Sequence, residues 1–281
     1  MRPAVFIHGQ SGEDGTAEVL VGSLGLTRVL VRREHGTEPW KRVLLRNDGP
    51  TRLRDIKLWG LGGADLFELA QFARDPNRVL QPFTLLPGER LVCESVGPTA
   101  DAPESLRGSF LWSLARGDSR IIAGGKPTHR VRLDPDNALR MDLSRGEQWV
   151  QWTFDSPMPH EGAQLMWETD PPDVQPSIWI SLERGSMAKV LSPREGQPWT
   201  QPVDFSAMIA GHHRFDLRLA FGAREPEDSD QATETMVALK RIHVERQVSA
   251  PGRMREWREG LNELSVALKS KTDPKLAIRL L

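Results

Sequence analysis

The sequence predicts an all-β fold: two consecutive antiparallel β-sandwiches over 26–134 and 138–249, preceded by an extension over 1–25 and followed by a C-terminal amphipathic helix and arm over 252–281. Three observations predict it. Phe215, Leu217, Leu219 and Phe221 alternate with Asp216, Arg218 and Ala220, the period of a strand with one buried face. Strand-like segments elsewhere are separated by clusters of Gly, Pro, Asn and Asp. A sustained stripe at helical spacing follows Pro251-Gly252, at Met254, Trp257, Leu261, Leu264 and Leu268.

In chain order, Thr27 to Arg33, Lys41 to Asn47 and Leu53 to Trp59 read as strands. The gaps Gly36-Thr37-Glu38-Pro39 and Asn47-Asp48-Gly49-Pro50 supply residues that tolerate positive φ and prolines that cannot join a ladder. Leu66 to Arg74 reads as a short helical turn between strands, with Leu66, Leu69, Ala70 and Ala73 at helical spacing. Leu86-Pro87-Gly88-Glu89 turns the chain into a strand ending at Val96; Phe110 to Leu114, Ser119 to Ala123 and His129 to Leu133 follow as strands.

The segment Val43-Leu44-Leu45-Arg46-Asn47-Asp48-Gly49, the partner strand Leu53 to Leu58, and the Pro87-Gly88-Glu89 turn into Leu91-Val92 together resemble bacterial and viral immunoglobulin-like modules over about seventy residues. That resemblance implies an immunoglobulin-like first sandwich.

Asp134-Pro135-Asp136-Asn137 reads as the linker. Beyond it, Val150, Trp152 and Phe154 form one strand face, and Ile178, Ile180 and Leu182 another. Thr235 to Glu245 adds a last long strand. Pro-rich loops at 156–159, 170–172 and 198–202 separate these strands, which fits a jelly-roll-like sandwich.

The 281 residues carry 37 basic and 38 acidic side chains, net charge -1, so there is no global polycation for nucleic acid or an anionic membrane. A lone cysteine, Cys93, excludes an internal disulfide framework and reads as a buried, inert thiol. No basic-then-apolar leader opens the chain, and no window holds the ~18 apolar residues of a membrane span. The expectation is synthesis in a host cytoplasm without a signal peptide.

No catalytic constellation, cofactor motif or metal-ligand spacing stands out. Val5-Phe6-Ile7-His8-Gly9 resembles the oxyanion-hole strand of α/β-hydrolases, but no G-x-S-x-G elbow accompanies it. His212-His213 are adjacent in sequence, and neighbours on a strand point to opposite faces, so they cannot easily chelate together. The acidic loop Glu225 to Asp230 lacks the spacing of a calcium loop. Nine Trp against no Tyr disfavours an antibody-like recognition surface, while Trp alone can still serve a carbohydrate platform. Trp149, Trp167, Trp179 and Trp199 fall in the second sandwich. Trp179 is out of phase with Ile178 and Ile180, which puts it on the solvent side of its sheet beside core packing as the plainer reading; Trp179 and Trp199 are the glycan-contact candidates.

The leading expectation is a non-enzymatic structural and assembly protein. The string of small sandwiches with a terminal arm resembles phage virion components, tail or baseplate proteins in particular. That resemblance implies a virion location and partners that are other virion proteins or copies of the chain. The docking residues are Met254, Trp257, Leu261, Leu264 and Leu268 on the helix, then Leu276, Ile278 and Leu280 on the arm, which can add a strand to a sheet of its own or of a neighbour. The alternative is a carbohydrate-binding protein using the Trp residues of the second sandwich.

Overall fold

The computed structural model describes residues 5–9, 17–21, 25–33, 42–47, 49, 52–60, 81, 83–96, 105–114, 118, 120–128, 131–133, 139–144, 146–172, 174–182, 185–191, 201–222, 236–251, 263–270 and 276–280. The fold is all-β, with antiparallel pairing throughout the described strands except one parallel pair at the N-terminus. Among the described residues no helix is long and apolar enough to cross a membrane.

Three sheets make up the described fold. The first runs β1 (Val5–Gly9), β3 (Gly25–Arg33), β19 (Glu263–Ser270), β5 (Leu53–Gly60) and β6 (Phe83–Leu85). The second runs β10 (Val131–Leu133), β11 (Leu139–Asp142), β18 (Met236–Pro251), β8 (Ser105–Leu114), β7 (Glu89–Val96), β4 (Arg42–Asn47), β20 (Leu276–Leu280) and β2 (Ala17–Val21). On the far side of β18 lie β13 (His160–Asp170) and then the two-residue β16 (Val203–Asp204). The third runs β15 (Ala188–Leu191), β14 (Ser177–Leu182), β17 (Arg214–Phe221), β12 (Gln148–Asp155) and β9 (Gly125–Pro127).

The main core lies between the third sheet and the β8–β18–β13 part of the second. Val150, Trp152 and Phe154 of β12, Ile178 and Ile180 of β14, and Phe215, Leu217, Leu219 and Phe221 of β17 are buried there as their alternation predicts. Across the gap they meet Trp112, Leu165, Ile242 and Val244. Trp112 sits edge-on to Trp152 at 5.4 Å and to Phe154 at 5.6 Å, an arrangement ring quadrupoles favour. Both buried indoles find acceptors: Trp112 donates to the Pro87 carbonyl (3.0 Å) and Trp152 to that of Ile121 (3.1 Å).

Turn chemistry at two motifs brings separate segments together. Pro87-Gly88 forms the centre of a tight turn in which Gly88 has φ +80°, and the Glu89 amide donates back to the Leu86 carbonyl at 3.0 Å. Asn47 at the end of β4 holds this turn. Its carbonyl accepts from the Gly88 amide (2.8 Å), its side-chain amide donates to the Leu85 carbonyl (3.2 Å), and its Oδ1 accepts from the Gly49 amide (3.0 Å).

Two expectations are corrected. Ser119 to Ala123 was expected as a strand, whereas Arg120–Ala123 is a helical turn. Asp118 caps it, Oδ1 accepting from the Arg120 amide at 3.0 Å, and the Gly124 amide closes it onto the Arg120 carbonyl at 3.1 Å. The C-terminal helix does not extend through Leu264 and Leu268, which lie in β19. A step of four is also an even step, so Leu264, Val266 and Leu268 share a strand face equally well, and two flanking strands, β3 and β5, satisfy the backbone. Met254, Trp257 and Leu261 lie outside the described residues, as do Leu66 to Arg74 and Asp134 to Asn137. The arm residues Leu276, Ile278 and Leu280 form β20, which pairs within the chain between β4 and β2.

Candidate functional site

The same alternation that buries one face of the third sheet in the core puts a second set of residues on the other face, where Thr153, Ser181 and Ala220 are still buried among larger, half-buried neighbours. On β12 this face carries Trp149, Gln151, Thr153 and Asp155; on β17 it carries Arg214, Asp216, Arg218 and Ala220. On β14 it carries Ser177, Trp179 and Ser181. Register then places Lys126, Gln151, Arg218 and Trp179 in one row across four strands, β9, β12, β17 and β14. Trp149 stands diagonally next to Arg218, within the reach of long side chains on neighbouring strands.

Arg218 is the centre of this face. Its guanidinium lies over the Trp149 ring, 4.2 Å from the centroid, where the ring's negative face attracts it. Nε (3.2 Å) and Nη2 (2.9 Å) both donate to the Gln151 side-chain oxygen. Alongside, Thr153 donates to Asp216 at 2.6 Å, and Arg214 pairs with Asp155 at 3.5 Å. Trp149, Gln151, Trp179 and Arg218 are each partly exposed, so this is a polar and aromatic surface at the water boundary. It offers ring faces for stacking and oriented donors for hydrogen bonds.

A second cluster lies deep inside. Arg246 of β18 and Glu89 of β7 form a salt bridge with both side chains fully buried. Phe110 and Phe154 cover the guanidinium at 4.0 and 4.9 Å. Arg246 Nη1 donates to the Asp155 carbonyl (3.1 Å) and to His160 Nε2 (2.8 Å). Since Nε2 accepts, the His160 proton resides on Nδ1, which donates to the His212 carbonyl at 2.6 Å. Burial and the adjacent Arg246 charge push the imidazole down to about 3, so it is neutral. Burial pushes the Glu89 carboxyl up, opposed by Arg246 and by the Leu86 amide that donates to it at 2.8 Å. The cluster is sealed from solvent and joins β7, the end of β12, β13 and β18.

Trp179 sits on the outer face, where its phase predicts, while Trp199 lies outside the described residues. Trp167 is inside: it is buried, and its indole donates to Gln175 at 2.7 Å. Cys93 is buried. His212 and His213 do not come together on a ligand: the His212 carbonyl serves His160, and His213 Nδ1 lies 3.3 Å from the Ser156 carbonyl. Among the described residues no group of three or more His, Cys, Asp or Glu could hold a metal ion. Sequence reasoning missed Gln151 and Arg218. Their phase opposite the core residues was readable, but the pairing of β12 with β17 was not.

No protein-family model and no curated protein matches the sequence. Solved structures give weak likenesses to a viral capsid and to carbohydrate-active β-sandwich proteins. Infectious bursal disease virus Gx strain is 9% identical with a TM-score of 0.29, over 94% of this chain and 78% of the other. TmCBM61 in complex with β-1,4-galactotriose is 8% identical with a TM-score of 0.26, over 48% and 86%. A family two carbohydrate esterase from Cellvibrio japonicus is 10% identical with a TM-score of 0.28, over 52% of this chain and only 36% of the esterase. At this overlap the chain's own surface, and not the likeness, has to carry any reading of function.

Proposed function

We propose that this chain is a non-enzymatic β-sandwich binding protein whose contact surface is the outer face of the third sheet, and that it binds saccharide. The observation that carries this reading is the cross-strand row Gln151–Arg218–Trp179 with Trp149 beside it. Sugar rings offer an apolar face that stacks on indole and a rim of hydroxyls that bond to amide and guanidinium groups. The face supplies both kinds of partner on strands held by a packed core, so the groups are oriented before a ligand arrives. A glycan array with wild type and Trp179→Ala tests the reading. Signal on wild type that falls in the variant supports it, and a blank array for wild type contradicts it.

Membership of a virion, as a tail or baseplate component, is the second reading. The pairing of β19 and β20 inside sheets begun by β3, β5, β4 and β2 favours it, because segments far apart in sequence are then tied into the same sheets and suited to bear load. In that setting the partners are other virion proteins or copies of the chain. Light scattering on the full chain, alone and mixed with candidate neighbours, tests it; a lone monomer in every mixture counts against it.

A further inference from the structure

The charge on the outer face narrows the ligand class. We infer that the saccharide bound there carries a carboxylate: a uronate residue whose ring lies on Trp179 and whose acid meets Arg218. This rests on the saccharide reading above and adds the acid.

The Arg218 guanidinium has five N–H groups, and the Gln151 oxygen takes the Nε hydrogen and one from Nη2. Both Nη1 hydrogens and the second on Nη2 have no protein partner among the described residues, and an Nη1–Nη2 edge of this half-buried side chain is a fork that can receive a carboxylate in two parallel bonds. Trp149 beneath the plane and Gln151 at its edge fix that fork in place, so little freedom is lost when an anion docks.

Charge complementarity points the same way. Arg214, on the same face and strand, is matched with Asp155. Arg218 is instead partnered by a neutral amide. The nearest acid along β17, the negatively charged Asp216, accepts the Thr153 hydroxyl but makes no ion pair with Arg218. Lys126, exposed at the other end of the row, adds a second positive charge. A neutral sugar would use the indole and leave this cation matched only by hydroxyls. An acidic peptide would use the cation and make no use of the indole.

Calorimetric titration of the full chain with an oligogalacturonate, its methyl ester and polyglutamate decides the point, with near-UV circular dichroism confirming that each variant is folded. The oligogalacturonate should bind at least about tenfold more tightly than its ester, because the bidentate bond is lost on esterification. Arg218→Gln should erase that preference, Arg218→Lys should retain part of it, since a lysine supplies charge without the fork, and Trp179→Ala should weaken both oligosaccharides. Equal binding of acid and ester, or polyglutamate binding as well as the sugar acid, overturns the inference while leaving a ligand face. Absence of binding to all saccharides sinks the saccharide reading with it. Should Arg218→Gln fail to fold, the acid-to-ester ratio on wild type still gives the answer.

Discussion

Two arginines in this molecule lie over aromatic rings at nearly the same height, Arg246 at 4.0 Å from Phe110 and Arg218 at 4.2 Å from Trp149, yet they serve opposite ends. Arg246 is fully buried, ion-paired to an equally buried Glu89 and bonded to His160 and a backbone carbonyl. The fold supplies partners to both Nη groups, leaves the buried Nε without a hydrogen bond, and gives the side chain no exposure through which to meet a ligand. Arg218 sits at the water boundary and is steadied by a neutral glutamine. The contrast teaches that stacking on a ring does not mark a site; what marks it is an oriented charge whose partner the fold leaves to be supplied.

Breaking the inner arginine should have the largest effect. Arg246→Ala leaves Glu89 buried without its cation and should cost about 3–5 kcal/mol of stability, read by denaturant unfolding. Replacing both partners together, Glu89→Leu with Arg246→Met, should cost much less, because no buried charge is stranded. A double variant as unstable as Arg246→Ala would argue that the pair's geometry itself holds the fold.

His160 gives the next effect, through pH. Its folded value of about 3 lies below the ordinary 6.5, so between these limits the unfolded chain binds the extra proton. Stability contributed by this group is therefore full above about pH 6.5 and falls by about 1.4 kcal/mol per unit as pH drops toward 3. Glu89, whose carboxyl burial pushes up, takes a proton more readily in the folded state and offsets part of the loss at the acid end. Unfolding curves from pH 7 to 4 should be shallower in pH for His160→Gln than for wild type; parallel curves would mean the imidazole charges freely in the fold.

The outer arginine should matter least to stability. Arg218→Gln should change unfolding free energy by no more than about 0.5–1 kcal/mol, the scale of an exposed cation–π contact, while removing acid-dependent binding. A loss comparable with that of Arg246→Ala would make Arg218 a structural residue like its inner counterpart.

Much of the inner side of this comparison was readable in the chain. Phe215 to Phe221 and Val150 to Phe154 announce their buried faces by simple alternation, and Pro87-Gly88 announces its turn. The same alternation put Trp179 outward. What alternation cannot supply is register: Gln151 and Arg218 are 67 positions apart, and Glu89 and Arg246 are 157 apart. Only pairing across strands brings either set together. The C-terminal stripe misled for a related reason, since Leu264 and Leu268 satisfy helix and strand periods alike, and the choice was made by the open positions between β3 and β5.

The claim that the third sheet's outer face is the contact surface is tested most directly by two-dimensional NMR of the tryptophan indole N–H signals during titration with an oligogalacturonate. The account predicts that the Trp149 and Trp179 signals shift and saturate together while those of the buried Trp112 and Trp152 stay in place. Shifts confined to other indoles, with Trp149 and Trp179 unmoved at saturating ligand, would contradict it.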